Sequence, residues 1–386
     1  MKVLTITPWY PHPKNLASGI FIKDRAIAVA SYVESFLVHI YVSKDAKKLV
    51  NLEKFRDDGI IVYRITIKEL PVKLHVLLYP LILRNLIKIV DEIKPDVLHS
   101  HVYTSGIYSI VLGRIRKIPV ILTEHMKFQK TINKRFTDKI RKFAAVIILN
   151  SAQLVTVSSK FFKDYLRSVG VNNRIEIIQS PVNVDRFNPA EGTSSTSDKV
   201  KMLFVGWIDP IKGVDILLNS VKNLSSERDD FQLTLVGGGP NLDRYKELCK
   251  RKGLDGFVEF TGFKERNDVV RIMQNSDFLI LPSLWEVFSM VVVEAMACGK
   301  PVVVSNKGQR EIVTKKTGVV FDPDEGGSLE LALNWMIDNV KKFSARHIRK
   351  YVVKKYSHRA LGKRFVKLYE EVVENYSNFS GGVKAE

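Results

Sequence analysis

Cysteine is almost absent: among 386 residues only Cys249 and Cys298 carry a thiol, far apart in the chain. That excludes a disulfide framework and a cysteine zinc site, and it suits a reducing compartment such as the cytoplasm. Long apolar runs are also missing. The stretch HVLLYPLIL at 75–83 is interrupted by Pro80 and is much shorter than the roughly 20 residues a membrane-crossing helix needs, so no span is expected. Met1 leads directly into the strand-like KVLTITPWY rather than into a charged and then apolar leader, so no signal peptide is expected. There is no internal repeat and no low-complexity tract. Acidic residues are the remaining shortage, with 41 Asp and Glu against 60 Lys and Arg.

The excess charge is uneven. Residues 1–189 hold 30 Lys and Arg against 15 Asp and Glu, whereas residues 190–386 hold 30 against 26. An anionic partner is therefore expected at the amino-terminal half: lipid headgroups, a phosphorylated acceptor or nucleic acid. No nucleic-acid motif and no aromatic-basic stacking platform is visible, which argues against the last. Hydrophobic residues at 45% and aromatics at 10% are globular values, and the length accommodates two domains.

Short apolar strands alternate with helical stretches throughout. KVLTITPWYP and SGIFIKDRAIAVASYV read as strand, loop and helix with Gly19 at the turn; SFLVHIYVS, GIIVYRITI, VLHSH, IPVILTEH and LVTVSS follow. The pattern implies a parallel sheet covered by helices on both faces, with Gly19, His101, His125 and Ser158 at strand ends, lining one crevice. FNPAEGTSSTSDK at 187–199 is polar and small-residue-rich, and reads as a linker. A second series runs from KMLFVGW through FQLTLVGGGP, FVEFTGF, DFLILPS and PVVVS to GVVFD. The expected divisions are 1–189, a linker at 190–199, 200–364, and a closing helix over 365–386.

The most informative stretch is PSLWEVFSMVVVEAMACGKPVVVSN at 282–306, which places Glu286 and Glu294 eight residues apart in an apolar run. A carboxylate there is costly to bury without a partner, so two suggest a ligand with hydroxyl donors. Glu286 in a loop, Glu294 within a helix stopped at Gly299, and the N–H groups of Ser289, Met290 and Val291 should converge at a helix N-terminus, where phosphate binds.

The segment EVFSMVVVEAMACGKPV resembles the E-x7-E signature of the retaining glycosyltransferases of family 4, usually E-G-F-G-(L/I)-x-x-x-E-A-M-A-x-G-x-P-V. Val287 and Ser289 replace the two glycines. The resemblance implies the GT-B architecture, two Rossmann-like doubly wound α/β domains facing across a cleft, the last helix returning to the first domain. It covers nearly the whole chain, from Gly19 onward. VGWIDPIKG at 205–213 is similar to the family's V-G-R-x-x-x-x-K-G, which implies that Gly206 and Lys212 meet the donor diphosphate. Trp207 stands where the family has Arg; it can stack but cannot pair with phosphate. His358, Arg310 and Lys307 are candidates for the missing charge. VGGGP resembles V-G-x-G-P, so Gly237 and Gly239 are expected beside the nucleotide, with Phe263 and Lys264 at the base. By the same resemblance Glu286 faces the sugar and diphosphate, Phe288 borders the donor, Glu294 takes the ribose, Gly19 lies on the donor side, and His101 and Tyr103 lie on the acceptor side. No metal or other cofactor is expected. His99 and His101 are read as lying on opposite sides of their strand.

His125, in ILTEHM, matches the family histidine at the reaction centre; a neutral imidazole can orient a sugar hydroxyl, and a pKa near neutrality would let it act as acid or base. Phe128, Ile132, Phe136 and Ile140 recur every fourth residue among Lys127, Lys130, Lys134, Arg135, Lys139, Arg141 and Lys142, a stripe suited either to a core or to an anionic membrane surface. The expectation is a hexosyltransferase that uses a UDP- or GDP-sugar and an acceptor that is anionic, phosphorylated or lipid-linked, a glycolipid or polysaccharide precursor. It would be cytoplasmic, with peripheral membrane contact. The alternative is a sugar-nucleotide-binding or regulatory protein that keeps the fold without turnover.

Overall fold

Runs of four to six β-branched and aliphatic residues, bounded by polar turns, set the strands, and the longer periodic segments between them set the helices. The computed structural model describes residues 1–13, 15, 17–71, 78–126, 128, 136–190, 198–307 and 310–381. Most of the expected linker, residues 191–197, lies outside them. The chain divides into two compact units, one made of residues 1–181 and 358–386 and the other of 182–357.

The first unit contains β1 (Lys2–Thr7), α1 (Ile20–Ala30), β2 (Glu34–Ser43), β3 (Val50–Asp57), β4 (Ile60–Lys68), α2 (Leu78–Ile93), β5 (Val97–His101), α3 (Tyr103–Arg116), β6 (Val120–Thr123), α4 (Phe136–Asn150), β7 (Leu154–Val157), α5 (Lys160–Ser168) and β8 (Ile175–Ile177). Among the described residues its sheet runs β3-β4-β2-β1-β5-β6-β7-β8. Alternation sorts its two faces: Val38, Tyr63, Ile65 and Ile67 pack with α2 and α3, whereas Leu37, Ile60 and Val62 pack against Ile22 and Ala26 of α1. The sheet is not wholly parallel. β3 pairs antiparallel with β4, and Asp58 and Gly59 at its turn have φ of 46° and 84°. An Asp-Gly pair with both φ positive is the favoured two-residue hairpin connection, a signal the alternating pattern had masked.

The second unit contains β9 (Val200–Val205), α6 (Val214–Leu224), β10 (Phe231–Val236), α7 (Leu242–Arg251), β11 (Val258–Gly262), α8 (Arg266–Asn275), β12 (Phe278–Leu281), α9 (Met290–Ala297), β13 (Val302–Ser305), β14 (Gly318–Phe321), α10 (Ser328–Asn339) and α11 (Ala345–Tyr356). Its strands run in the order β11-β10-β9-β12-β13-β14, each pair parallel. Fully buried runs such as FLIL and VVVS fit a sheet covered on both faces.

Both divisions fall earlier than expected, for local reasons. Residues 182–188 belong to the second unit: Val182 N–H donates to the Tyr356 carbonyl at 2.8 Å, and Arg349 donates to the carbonyls of Val184, Phe187 and Ala297 at 3.0, 2.9 and 2.8 Å. The closing helix α12 (His358–Gly381) starts at His358 rather than at 365 and packs on α1. Leu361, Phe365, Tyr369 and Val372 form its buried row. The two helices cross at Gly362, where a Cβ would lie 2.3 Å from the Ala28 carbonyl oxygen. Gly362→Val should therefore push α12 off α1, at a cost of about 1–3 kcal/mol. The expected readout is a melting temperature several degrees lower, while Gly326→Ala, at an open position, leaves it unchanged. Equal melting temperatures would place α12 elsewhere.

Candidate functional site

In the second unit the strand order reverses at β9, so the loops after β9 and β12 diverge and leave a crevice at the carboxyl ends of the strands. The backbone is drawn tight there. Gly213 has φ 74°, and a Cβ on it would lie 2.0 Å from the Pro282 carbonyl oxygen. Gly237 has φ 150° and comes equally close to Gly206, whose carbonyl oxygen would be 1.7 Å from an added Cβ. Gly206 N–H donates to Val236 O and Gly237 N–H to Gly262 O, each at 3.0 Å, and Ile208 N–H donates to Gly238 O at 2.9 Å. The three loops therefore form one continuous edge. Trp207 lies over Gly239 with 61% of its surface exposed, and Phe263 is 69% exposed beside Gly238. Two aromatic faces thus flank the glycine turn, with Lys264 next along the chain.

The same tightness delivers the charged groups. Asp209 accepts from Lys212 N–H at 3.0 Å, and Leu284 N–H donates to Ile211 O at 2.8 Å. Lys212 Nζ then reaches Glu286 Oε2 at 2.6 Å, both side chains more than three-quarters buried. Ser283 Oγ stands 3.4 Å from the same carboxylate, and Ser305 fixes the Ser283 carbonyl at 2.5 Å. Glu286 lies in the loop before α9 and Glu294 within the helix. Ser289 occupies the N-cap position without a side-chain capping bond. Phe288 packs instead against Tyr356, at 6.1 Å. Glu294 is met by Arg266 Nη2 at 3.0 Å, and the Arg266 guanidinium lies 5.1 Å from the centre of the Phe187 ring. Arg266 is a residue the sequence reading missed; only its place just after the TGF loop hinted at it. The candidates for the missing positive charge fare differently. Lys307 is bound by Asp324 and lies 3.9 Å from Asp322, His358 sits in the first unit 3.7 Å from Asp24, and Arg310 is exposed.

The first unit holds its own cluster, at the carboxyl ends of β1, β5 and β6. His99 and His101 face the same side of β5, their rings stacked at 4.8 Å, because residues two apart share a strand face. The expectation of opposite sides was wrong. His99 is fully engaged, by Tyr369 Oη at 2.7 Å and Thr123 Oγ1 at 2.6 Å. His101 Nδ1 meets His125 Nε2 at 2.9 Å, and Phe21, two residues after Gly19, packs edge-on to His125 at 4.9 Å. Buried Arg25 donates to Thr123 and Ser180 at 3.0 and 3.2 Å. Burial and then the Arg25 charge hold His99 and His101 well below the usual histidine range, and the same two causes act on His125. For fully buried His99 and His101 this favours uncharged rings at neutral pH. For His125, half-buried at the end of β6, the lowering favours the neutral ring, the form that orients a hydroxyl or accepts a proton.

The loops carrying these histidines are joined by Glu124, also passed over in the sequence. Its carboxylate, wholly buried, accepts from Tyr103 N–H at 2.8 Å, His125 N–H at 2.8 Å and Met126 N–H at 2.9 Å. Val102 between His101 and Tyr103 has φ 61°, a strained position for a β-branched residue. Ser158, after β7, is buried rather than open to a crevice. Among the described residues no three His, Cys, Asp or Glu side chains are placed to hold a metal ion. Of the apolar stripe expected near residue 132, Phe128 is core, 5% exposed between the Tyr103 and Tyr165 rings. Lys127, Lys130, Ile132, Lys134 and Arg135 lie outside the described residues.

The family model "Glycosyltransferase Family 4" matches residues 34–186 and "Glycosyl transferases group 1" matches residues 186–371. An uncharacterized glycosyltransferase of Methanocaldococcus jannaschii is 24% identical, covering 97% of this chain and 99% of that protein. A D-inositol 3-phosphate glycosyltransferase of Arthrobacter is 26% identical over 79% of this chain and 78% of its own. Among solved structures, sucrose-phosphate synthase of Thermosynechococcus elongatus superposes with a TM-score of 0.78 at 19% identity, covering 97% of this chain and all of that one. HepE of Anabaena in complex with UDP gives 0.74 at 20% identity, covering 96% of this chain and all of that one. These GT-B glycosyltransferase structures share the plan of two parallel-sheet α/β domains.

Glu124 yields a test. Burial, against the pull of three backbone donors, pushes its carboxyl up to about 7. The fold therefore favours the protonated form, and the buried charge destabilises progressively as pH rises from the unfolded value of about 4.3 through about 7, by roughly 3 kcal/mol in all. Glu124→Gln lacks this slope. Unfolding free energies measured from pH 4.5 to 8 should show the variant gaining on the wild type as pH rises. A difference flat in pH would mean that the three amides keep the carboxylate ionised throughout.

Proposed function

The chain belongs to the group 1 glycosyl transferases of the family 4 type, and we propose that it moves a hexose from a UDP- or GDP-linked donor, with retention of configuration. The acceptor proposed is anionic, phosphorylated or lipid-linked, a glycolipid or polysaccharide precursor that approaches the basic first unit. A UDP-linked donor is the first to test, because structures of the HepE neighbour hold UDP, glucose and UDP-glucose.

The observation that carries the reading is the Lys212–Glu286 pair, 2.6 Å long, at the mouth of α9. A nucleoside diphosphate entering there meets Lys212, the amides of Ser289, Met290 and Val291, and the close-set backbone of Gly206, Gly237 and Gly239. Lys212 and the amides at the start of α9 offer positive charge and N–H donors where charge grows on the leaving group, and the glycines, whose N–H groups at 206 and 237 already donate to Val236 and Gly262, let the ligand approach the backbone closely. Glu286 accepts from sugar hydroxyls while its partner Lys212 turns to the phosphate. Glu294, oriented by Arg266, accepts from the ribose, and Trp207, Phe263 and Lys264 border the base. Trp207 removes one cation relative to the family pattern; Arg266 is the second cation on this edge of the unit. His125, uncharged, orients a hydroxyl. We carry over from the family resemblance front-face departure, in which the leaving phosphate takes the acceptor proton.

The test pairs binding with turnover. Binding of one nucleotide family to the folded state alone should raise the melting temperature of the purified protein by mass action, with UDP or GDP compounds effective and ADP or dTDP compounds not. Glu286→Gln and Lys212→Ala should each lower transfer by about 100- to 1,000-fold with an unchanged circular dichroism spectrum. A Glu286→Gln protein with full activity would displace the site. Selective nucleotide binding without turnover against a broad acceptor set would favour the regulatory alternative that Trp207 suggests.

A further inference from the structure

Helices α3 and α4 lie side by side on one face of the first unit's sheet. They are close at Gly106, where a Cβ would meet Ile148 Cγ2 at 3.0 Å and Leu122 Cδ1 of β6 at 2.3 Å. The inward rows, with Tyr108 and Leu112 on α3 and Ala145 and Leu149 on α4, are buried. The outward rows are apolar as well. On α3 Ile107, Val111 and Ile115 are 37, 37 and 49% exposed, and on α4 Ile140, Phe143 and Ile147 are 53, 69 and 49% exposed. The spacings i, i+4, i+8 and i, i+3, i+7 put each set on one helical face. Six large apolar side chains on adjacent helices differ from the single exposed hydrophobics that any protein surface carries.

What surrounds them selects the partner. Helices α3 and α4 and the adjoining Lys117 carry Arg114, Arg116, Lys117, Lys139, Arg141 and Lys142 against one acidic residue, Asp138, and of these cations Arg116 is paired with Asp91 of α2 at 2.7 Å. The exposed Leu331 and Trp335 of α10, by contrast, share their helix with Glu330 and Asp338. A second copy docked face to face on α3 and α4 would bring like charges together, whereas an anionic, apolar-cored surface satisfies both sets of groups. No helix among the described residues is long and apolar enough to cross a membrane.

We propose that the α3–α4 face docks the protein onto the surface of a bilayer containing anionic lipid. Phe143, Ile140, Ile147 and the α3 row enter the boundary between headgroups and acyl chains, and the basic side chains lay their aliphatic stems along the same boundary with their charges at the phosphates. This surface is independent of the donor chemistry. Its consequence for the proposed function is that a lipid-borne acceptor reaches the unit from the side of helix α3, which begins at Tyr103, directly beyond His101 and Val102.

The test uses the full chain and vesicles of phosphatidylcholine, alone or mixed with an equal amount of phosphatidylglycerol. The wild type should sediment with the mixed vesicles, much less with phosphatidylcholine alone, and progressively less as salt is raised. Phe143→Asp with Ile147→Asp should lower the bound fraction about tenfold, with the melting temperature and its shift by nucleotide kept. Leu331→Asp on α10 should bind as the wild type does. Wild type that fails to sediment with anionic vesicles at low salt would overturn the proposal, as would a double variant that sediments equally well. A dimer seen by light scattering and broken by Phe143→Asp would assign the face to a second copy instead. Loss of nucleotide shifts with vesicle binding intact would count against the donor reading alone.

Discussion

The candidate site of the second unit depends on one close approach of backbone to backbone. Gly213 sits so near Pro282 that a Cβ would lie 2.0 Å from its carbonyl oxygen, which draws the loop after β9 onto the end of β12 where the strand order reverses. Lys212 and Glu286 meet because of that approach, although 74 residues separate them. The approach of Gly237 to Gly206 does the same for the loops after β9 and β10. Side chains other than glycine would part the loops and the charged pair with them.

The first unit meets the opposite difficulty, since its polar groups are buried rather than brought to an edge. Arg25 keeps its charge in the interior by donating to Thr123 and Ser180 and by lying 4.5 Å from the centre of the Phe365 ring. The histidines beside it respond by staying neutral, because a second charge in a desolvated site near a guanidinium is more costly than an uncharged ring with a hydrogen bond. Glu124 is set apart from this group by its backbone donors, and it fixes the loops that carry Tyr103 and His125. Strain at Val102 is tolerated only because such contacts over-determine the loop.

Trp207 puts an uncharged, exposed ring at the glycine turn of the second unit, where the resemblance led to an expected arginine. The exposed indole extends an aromatic border shared with Phe263, and the cations nearby, Lys212 and Arg266, are each already paired with one of the two glutamates. A ligand phosphate would therefore compete for cations that carboxylates hold, a balance set by geometry as much as by composition.

Local pattern was enough for most of the strands, though not for β3 or β8, for the two doubly wound series, and for the loop and helix positions of Glu286 and Glu294, because side-chain periodicity and glycine turns are short-range effects. The Asp58-Gly59 hairpin was also written locally, but the alternation around it was read as wholly parallel. Arg266, Glu124 and Arg25 could not be recognised in this way. Their roles come from partners brought near by the fold, and one residue with a buried partner looks in sequence like any other charge. The same holds for the outward rows of α3 and α4: the sequence determines that these helices are apolar, but only packing decides which side chains the sheet and the neighbouring helix cover, and which remain at the surface.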